Sequence, residues 1–351
     1  MPHHDAAVNK RHALAFLALF LLLAAGVILG VGIGAVPVSP ASLIQFLLVK
    51  LGLSPLPLPD ERDITILLLL RLPRVVAAML VGSSLATCGV VMQGLFRNPM
   101  ASPEILGLSA GGSLGAVVAI TAGLASGSLF AIPAFTIAGA MLAAAIIYLL
   151  SSTRGTTSLL YIVIAGMAIS SLFGGLISAL LLFSREYQIS QFIFWTMGGL
   201  DGRTWRHVLF SAPVLVPGMI VLSFFARELN LFTLGEEEAL SLGMRVEITK
   251  RALLAIVAAV TGVAIAVSGP IGFIGLLIPH LLRFIVGPDH RVLLPASALG
   301  GALFLVLCDL LGRALFPPFE IRVGIITAIL GSPYLLSLIV RIQKRNAVGA
   351  R

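Results

Sequence analysis

Charged residues are rare along this chain, and the stretches between them are long. Residues 13–36, 75–96, 105–153, 155–184, 208–226, 252–282, 292–308 and 323–340 carry no Asp, Glu, Lys or Arg. A helix needs an apolar run of about 20 residues to cross a bilayer. The longer runs break at local signals, the small residues Gly123–Gly127 in one and Gly269-Pro270 in another. The pattern predicts about ten spans, near 13–36, 68–94, 104–122, 128–151, 157–183, 207–226, 251–268, 271–287, 293–314 and 321–342. Helices are required. The runs are too long for barrel strands and do not alternate apolar with polar residues.

Composition agrees. Of 351 residues, 58% are hydrophobic and 11% charged, against about 25% charged in ordinary soluble domains. Mean hydropathy is +1.08. A soluble globule could not hide that much apolar surface, which excludes a soluble enzyme and a nucleic-acid-binding domain. Disorder needs the opposite composition. The expectation is an all-α polytopic membrane protein. Its first run, 13–36, is longer than a signal-peptide core of about 7–15 residues and reads as a retained span.

The net charge of +8 fits basic loops that anchor the cytoplasmic side. Arg341, Lys344, Arg345 and Arg351 lie close to the end of the last span or beyond it, and Arg227, Arg245, Lys250 and Arg251 lie in or beside the loop 227–251. Both places are expected in the cytoplasm, with residues 1–12 and 344–351 as cytoplasmic tails around a transmembrane domain at 13–343. Cys88 and Cys308 sit singly in apolar runs and match no metal or redox spacing.

An internal echo suggests how the spans are arranged. Gly82 to Gly89 reads G-x-x-L-A-x-C-G, and Gly262 to Gly269 reads G-x-x-I-A-x-S-G, 180 residues later. A second echo sets Ser109–Gly112 against Ser297–Gly301. Two halves of five spans, about 13–190 and 191–343, would face opposite ways, the plan of many transporters. Gly26, Gly30 and Gly34, and Gly107, Gly111 and Gly115, are spaced for close helix packing.

Motifs for catalysis are missing. The sequence has no G-x-x-x-x-G-K-[ST] phosphate loop, no H-E-x-x-H and no G-x-S-x-G, so neither catalytic nor metal-binding residues are assigned. Three polar clusters remain. Gln93, Arg97, Asn98 and Pro99, continuing to Pro103 and Glu104, read either as a capped turn after the second span or as a functional contact. Glu236 to Gly243, bracketed by Gly235 and Gly243, reads as a short acidic helix. Its apolar positions pair as Leu240 with Met244 and Ala239 with Leu242. A helix this short needs packing against something, so it is either a solvated loop helix or a docking element. Pro279, His280 and Arg283 form the third cluster, at a kink. Asp309 and Arg313 stand i, i+4, while Arg71-Leu-Pro73-Arg74 opens the second span with both arginines expected on one face.

Taken in order, these clusters resemble the FecCD family of permease subunits. The likeness rests on Arg71-Leu-Pro-Arg74, Gly82 to Gly89, Gln93, Arg97-Asn98-Pro99, Pro103 with Ile105-Leu106-Gly107, Glu238-Ala239 with Leu242-Gly243, Gly275-Leu-Leu-Ile-Pro279-His280 with Arg283, Asp309 with Arg313, and Glu320 with Val323-Gly324. It runs from about 13 to 343 and departs at Met100, at Phe319–Arg322 and at Tyr334. The resemblance implies a subunit of a binding-protein-dependent ABC importer in the bacterial inner membrane, carrying an iron chelate (ferric siderophore or haem) or, alternatively, cobalamin. It implies a homodimer, two ATPase subunits that hold ATP and Mg, and a periplasmic solute-binding protein, with no cofactor in this chain. Glu238, Ala239, Leu242 and Gly243 would then couple to the ATPase, and Arg71, Arg74 and Arg313 would meet the binding protein. Gln93, Arg97, Asn98, Pro99, Pro279 and His280 are candidates for helix breaks or a gate. A rival class, an ion-driven secondary transporter, would want acids near mid-membrane, and only Asp309 approaches that.

Overall fold

The computed structural model describes residues 2–34, 45–46, 48–50, 52–53, 55, 57 and 60–349, apart from Arg154. The helices are α1 (Pro2–Gly32), α2 (Glu61–Leu95), α3 (Leu108–Thr121), α4 (Ala131–Ser151), α5 (Leu159–Leu182), α6 (Glu186–Thr196), α7 (Trp205–Phe224), α8 (Ala226–Phe232), α9 (Glu236–Ser241), α10 (Val246–Ser268), α11 (Ile274–Val286), α12 (His290–Ala314) and α13 (Val323–Gly349). Ten of them, all but α6, α8 and α9, coincide with the ten predicted spans. Seven are long and apolar enough to cross a membrane, while α3, α11 and the apolar part of α13 are shorter. Residues 35 and 36 of the first expected span, and Arg351, lie outside the described residues. The expected N-terminal tail is helical from Pro2.

Two ends of the bundle can be defined. Arg11 near the start of α1 donates to Phe284 O at the end of α11, on the side that carries α8 and α9; we call this the α9 end. The last turn of α1 meets Arg71 and Arg313 at the other end, called here the arginine end. Ten crossings bring Pro2 and Gly349, the outermost described residues, to the α9 end.

The packing repeats with partners exchanged. Helix α2 lies along α12 and α10 along α4, while α3 packs on α4 and α11 on α12. Exchanging each helix for its counterpart in the other half, α2 for α10, α3 for α11 and α4 for α12, maps these contacts onto one another, as two inverted halves require. The first sequence echo, α2 with α10, fits this exchange. The second does not, because Ser109 lies in α3 and Ser297 in α12, which are not counterparts; it reflects only the small residues that close packing favours. Those small residues sit at the crossings. A Cβ on Gly82 would meet the Gly301 carbonyl, one on Gly111 the Gly139 carbonyl, and one on Gly115 the Phe135 carbonyl.

Helix α2 starts at Glu61, seven residues ahead of its expected first residue, so Pro73 lies inside it and not in a first turn. Proline has no N–H to give and crowds the preceding turn. The chain responds with a wide π segment at Ile66–Arg71. In that register Pro73 would serve Leu68 O, and the Trp205 indole N–H donates to it instead at 2.9 Å.

Candidate functional site

The short spans α3 and α11 have a common cause. Each follows non-helical backbone that runs into the bundle, residues 98–102 with the 3-10 turn Pro103–Leu106 before α3, and residues 269–273 before α11. Pro99 and Pro103 in one, and Pro270 with its glycine neighbours in the other, prevent a continuous helix. Both half-helices begin at a left-handed residue, Gly107 at φ 63° and Phe273 at φ 71°. Irregular backbone at this depth is tolerated where protein or an aqueous cavity surrounds it. Here the two irregular segments meet. A Cβ on Gly275 would touch the Pro103 ring at 3.1 Å, and one on Gly272 would lie 3.5 Å from Glu104 Oε1. A cavity of about 210 Å³ lies beside this contact, with Ser102, Glu104, Ser109, Thr261, Phe273 and Leu335 in its wall. The segment from Ser102 to Glu104 is therefore part of the interior, not of a turn beyond the second span. Glu104 was not singled out as a site residue from the sequence; the signal was an acid bounded by two prolines and a glycine at the edge of a 49-residue uncharged stretch.

At the α9 end, four of the helix-break candidates come together and two do not. Gln93 is buried; its Nε2 donates to Leu276 O at 3.1 Å and its Oε1 accepts from Arg283 Nη2 at 3.1 Å. Arg97 takes a left-handed φ of 49°, and Asn98 Oδ1 accepts the Met100 N–H at 2.9 Å, which sets the turn. Gln93, Arg97, Asn98 and Pro99 line a cavity of about 270 Å³ together with Arg283 and His290. Pro279 and His280 lie apart from it. The His280 ring sits edge-on to Phe284 and Tyr334, and neither ring nitrogen has a hydrogen-bond partner among the described residues. Asn230 of α8 ties this region together by accepting from His290 N and donating to Asp289 Oδ1 at 2.7 Å. Burial alone would raise the Asp289 carboxyl, but the bonds from Asn230 and the Arg291 N–H hold it below its ordinary value.

Helix α9 is held from one side and bare on the other. Gly243 at φ 83° reverses the chain, with Gly243 N–H bonded to Leu240 O and Met244 N–H to Ala239 O. Glycine is favoured at such a helix end. The reversal divides the apolar positions differently from their helical spacing. Ala239 and Met244 turn inward, while Leu240 and Leu242 are 64% and 60% exposed. Glu238 and Gly243 are exposed beside them. Behind α9 lies Lys250, a buried lysine that the sequence marks only as a basic loop residue. Its Nζ donates to Glu236 Oε2 of α9 at 2.6 Å, to Glu247 Oε1 at 3.0 Å and to Thr157 O at 3.1 Å. Thr157 belongs to a small hairpin, Ser152–Thr153 with Thr156–Thr157, that leads into α5. One ammonium group thus uses its three donors to join α9, α10 and the start of α5.

At the arginine end, Arg71, Arg74 and Arg313 do lie close together, but they turn inward. Arg71 donates to Val31 O and Gly32 O, and Arg313 to Ile33 O and Gly30 O. These bonds satisfy carbonyls that the end of α1 leaves without helical partners. Arg74 reaches Asp309 at 2.9 Å and Glu320 at 2.8 Å. Arg71 and Arg74 therefore do not share an exposed face: one serves α1 and the other α12 with the segment before α13. The pair Asp309–Arg313 forms as its spacing predicts, at 3.1 Å. Asp309 belongs to this knot and not to the mid-depth cavity.

Broken half-helices that meet at mid-depth, a bare apolar knob at one end and a buried ionic knot at the other describe a transport subunit. Residues 21–341 match the FecCD transport family. The chain belongs to the FecCD family. It is 45% identical over 270 residues to the cobalamin import system permease protein BtuC of Halobacterium salinarum, covering 77% of this chain and 72% of that protein. It is 42% identical over 281 residues to the hemin transport system permease protein HmuU of Yersinia pestis, covering 79% and 84%. A solved chain, described as an inward-facing metal-chelate type ABC transporter, superposes with a TM-score of 0.82 at 32% identity, covering 94% of this chain and 99% of that one. This FecCD chain is a multi-pass membrane permease of the ABC importer class.

Proposed function

We propose that this permease carries an iron chelate, a ferric siderophore or haem, from the periplasm to the cytoplasm across the bacterial inner membrane. Cobalamin is the second reading, favoured by the 45% identity to a cobalamin permease. In this reading two copies form the path, two cytoplasmic ATPase subunits supply ATP and Mg, and both chain termini and the α9 end face the cytoplasm. The chain contributes no ATPase site of its own. The solute-binding protein docks at the arginine end, where Arg71, Arg74 and Arg313 brace the rim that it would touch.

The observation that carries the coupling role is the exposed pair Leu240 and Leu242 on a helix anchored through Lys250. Together with Leu234 and Ile248, 59% and 60% exposed, these leucines form an apolar patch at the α9 end that a partner would cover. Leu242→Asp is expected to abolish chelate uptake and weaken co-purification of the ATPase, with membrane insertion unchanged. Uptake near the wild-type level would remove α9 from the coupling pathway. Lys250→Met is expected to leave ATPase binding largely intact while uptake per ATP hydrolysed falls by about tenfold, because α9 loses its tie to α5 and α10. Glu236 and Glu247 keep 36% and 27% of their side chains exposed, so the stability cost stays below the roughly 3–5 kcal/mol of breaking a fully buried pair. Measuring transport and hydrolysis together in proteoliposomes separates the two effects.

A further inference from the structure

An ionisable side chain within the hydrocarbon depth is rare and costly unless it pairs or faces water. Glu104 is such a residue. Helix α11, 13 residues long, spans about 20 Å at 1.5 Å per residue. The Glu104 carboxyl lies beside Gly272 just ahead of it, well inside a hydrocarbon core of about 30 Å. Its side chain is exposed in the cavity wall. Among the described residues Glu104 joins no ion pair, and no lysine or arginine lines the cavity. The rest of the wall is hydroxyl and apolar.

We propose that Glu104 lines the cargo's path and makes this permease favour neutral or cationic metal chelates over anionic ones. The inference rests on the importer reading above. An ionised carboxylate in this cavity repels a second negative charge at close range, and two copies would present two such carboxylates. A cationic or neutral hydroxamate chelate would pass, whereas a polycarboxylate complex of iron would be retarded.

The test uses the complete importer, with its binding protein and ATPase, in a host lacking its own chelate uptake. Radio-iron-labelled ferrioxamine B, ferrichrome and ferric citrate serve as cationic, neutral and anionic probes. Every arm contains the same binding protein, so a changed ratio belongs to the permease. Glu104→Gln is expected to raise the anionic-to-cationic uptake ratio about tenfold, Glu104→Lys to raise it further, and Glu104→Asp to preserve it. An unchanged ratio in both the Gln and Lys variants overturns the proposal. If the wild type takes up none of the probes and no haem either, the iron-chelate reading fails, and a second measurement still decides the place of residue 104. Cys88 and Cys308 are buried, so Glu104→Cys in native membranes can be probed with a charged methanethiosulfonate reagent. Labelling places the position in an aqueous path, and failure to label overturns the proposal on its own.

Discussion

Gly89→Val is expected to leave no functional permease. Gly89 of α2 faces Gly275 at the start of α11, and a Cβ there would fall on the Gly275 carbonyl and close to its Cα. Both contacts are backbone, so no side chain can rotate away. The two helices would have to separate, and the Pro103 ring and Gln93, which both contact this start of α11, would lose their seats. Overpacking a core costs typically about 1–3 kcal/mol when side chains can adjust; a clash with backbone at a helix crossing exceeds that. In lipid the penalty bites harder, because helix association depends on close packing and not on a hydrophobic drive. Size-exclusion profiles in mild detergent and a thermal melt should show loss of the folded species. Gly174→Ala is the control. A Cβ at Gly174 meets nothing within 4 Å, and that variant should melt like the wild type. A Gly89→Val protein that remains folded and active would mean α2 and α11 do not cross as described.

The same crossing shows what could be read from the chain and what could not. Charge-free runs located ten helices because a bilayer imposes length and apolarity on each span, and both are local properties. The glycine at 89 was visible in the echo with 269, but its partner Gly275 is 186 residues away, and nothing local names it. The break before α3 was visible as Pro99 and Pro103, yet two prolines also suit an ordinary turn. Only the tertiary arrangement, with a second broken helix opposite, turns that segment inward and brings Glu104 with it. The glycines around α9 marked the helix correctly. Its exposed face differs from the expected one because regular 3.6-residue spacing does not carry through Gly243, where a positive φ reverses the chain. The sequence grouped the arginines at one end of the bundle, but their burial depends on Asp309 and on the carbonyls of α1, which lie far off in sequence.

Asp309→Ala should be the most destabilising change among the charged residues. Asp309 is 1% exposed; Oδ1 receives Arg74 at 2.9 Å, and Oδ2 faces Arg313 Nε at 3.1 Å, an ion contact whose angle falls short of a directed hydrogen bond. Removing the carboxylate leaves Arg313, itself 4% exposed, without its counter-ion in the interior. Breaking a buried pair in this way costs about 3–5 kcal/mol, since the remaining charge stays desolvated. The damage should spread to α1, because Arg313 can satisfy Gly30 O and Ile33 O only while Asp309 holds it in place. Arg74 suffers less, as it keeps Glu320. Asp309→Asn separates charge from shape: it preserves volume and one acceptor oxygen, so a loss close to that of Ala would assign the effect to the charge. Glu320→Gln supplies the comparison at the same knot. Its side chain is 36% exposed, and exposed pairs contribute about 0–1 kcal/mol, so its melting temperature should barely move. Thermal unfolding of the three variants in one detergent ranks them directly. If Asp309→Ala melts with Glu320→Gln, the arginine end is held by the carbonyls of α1 alone and the carboxylate is dispensable.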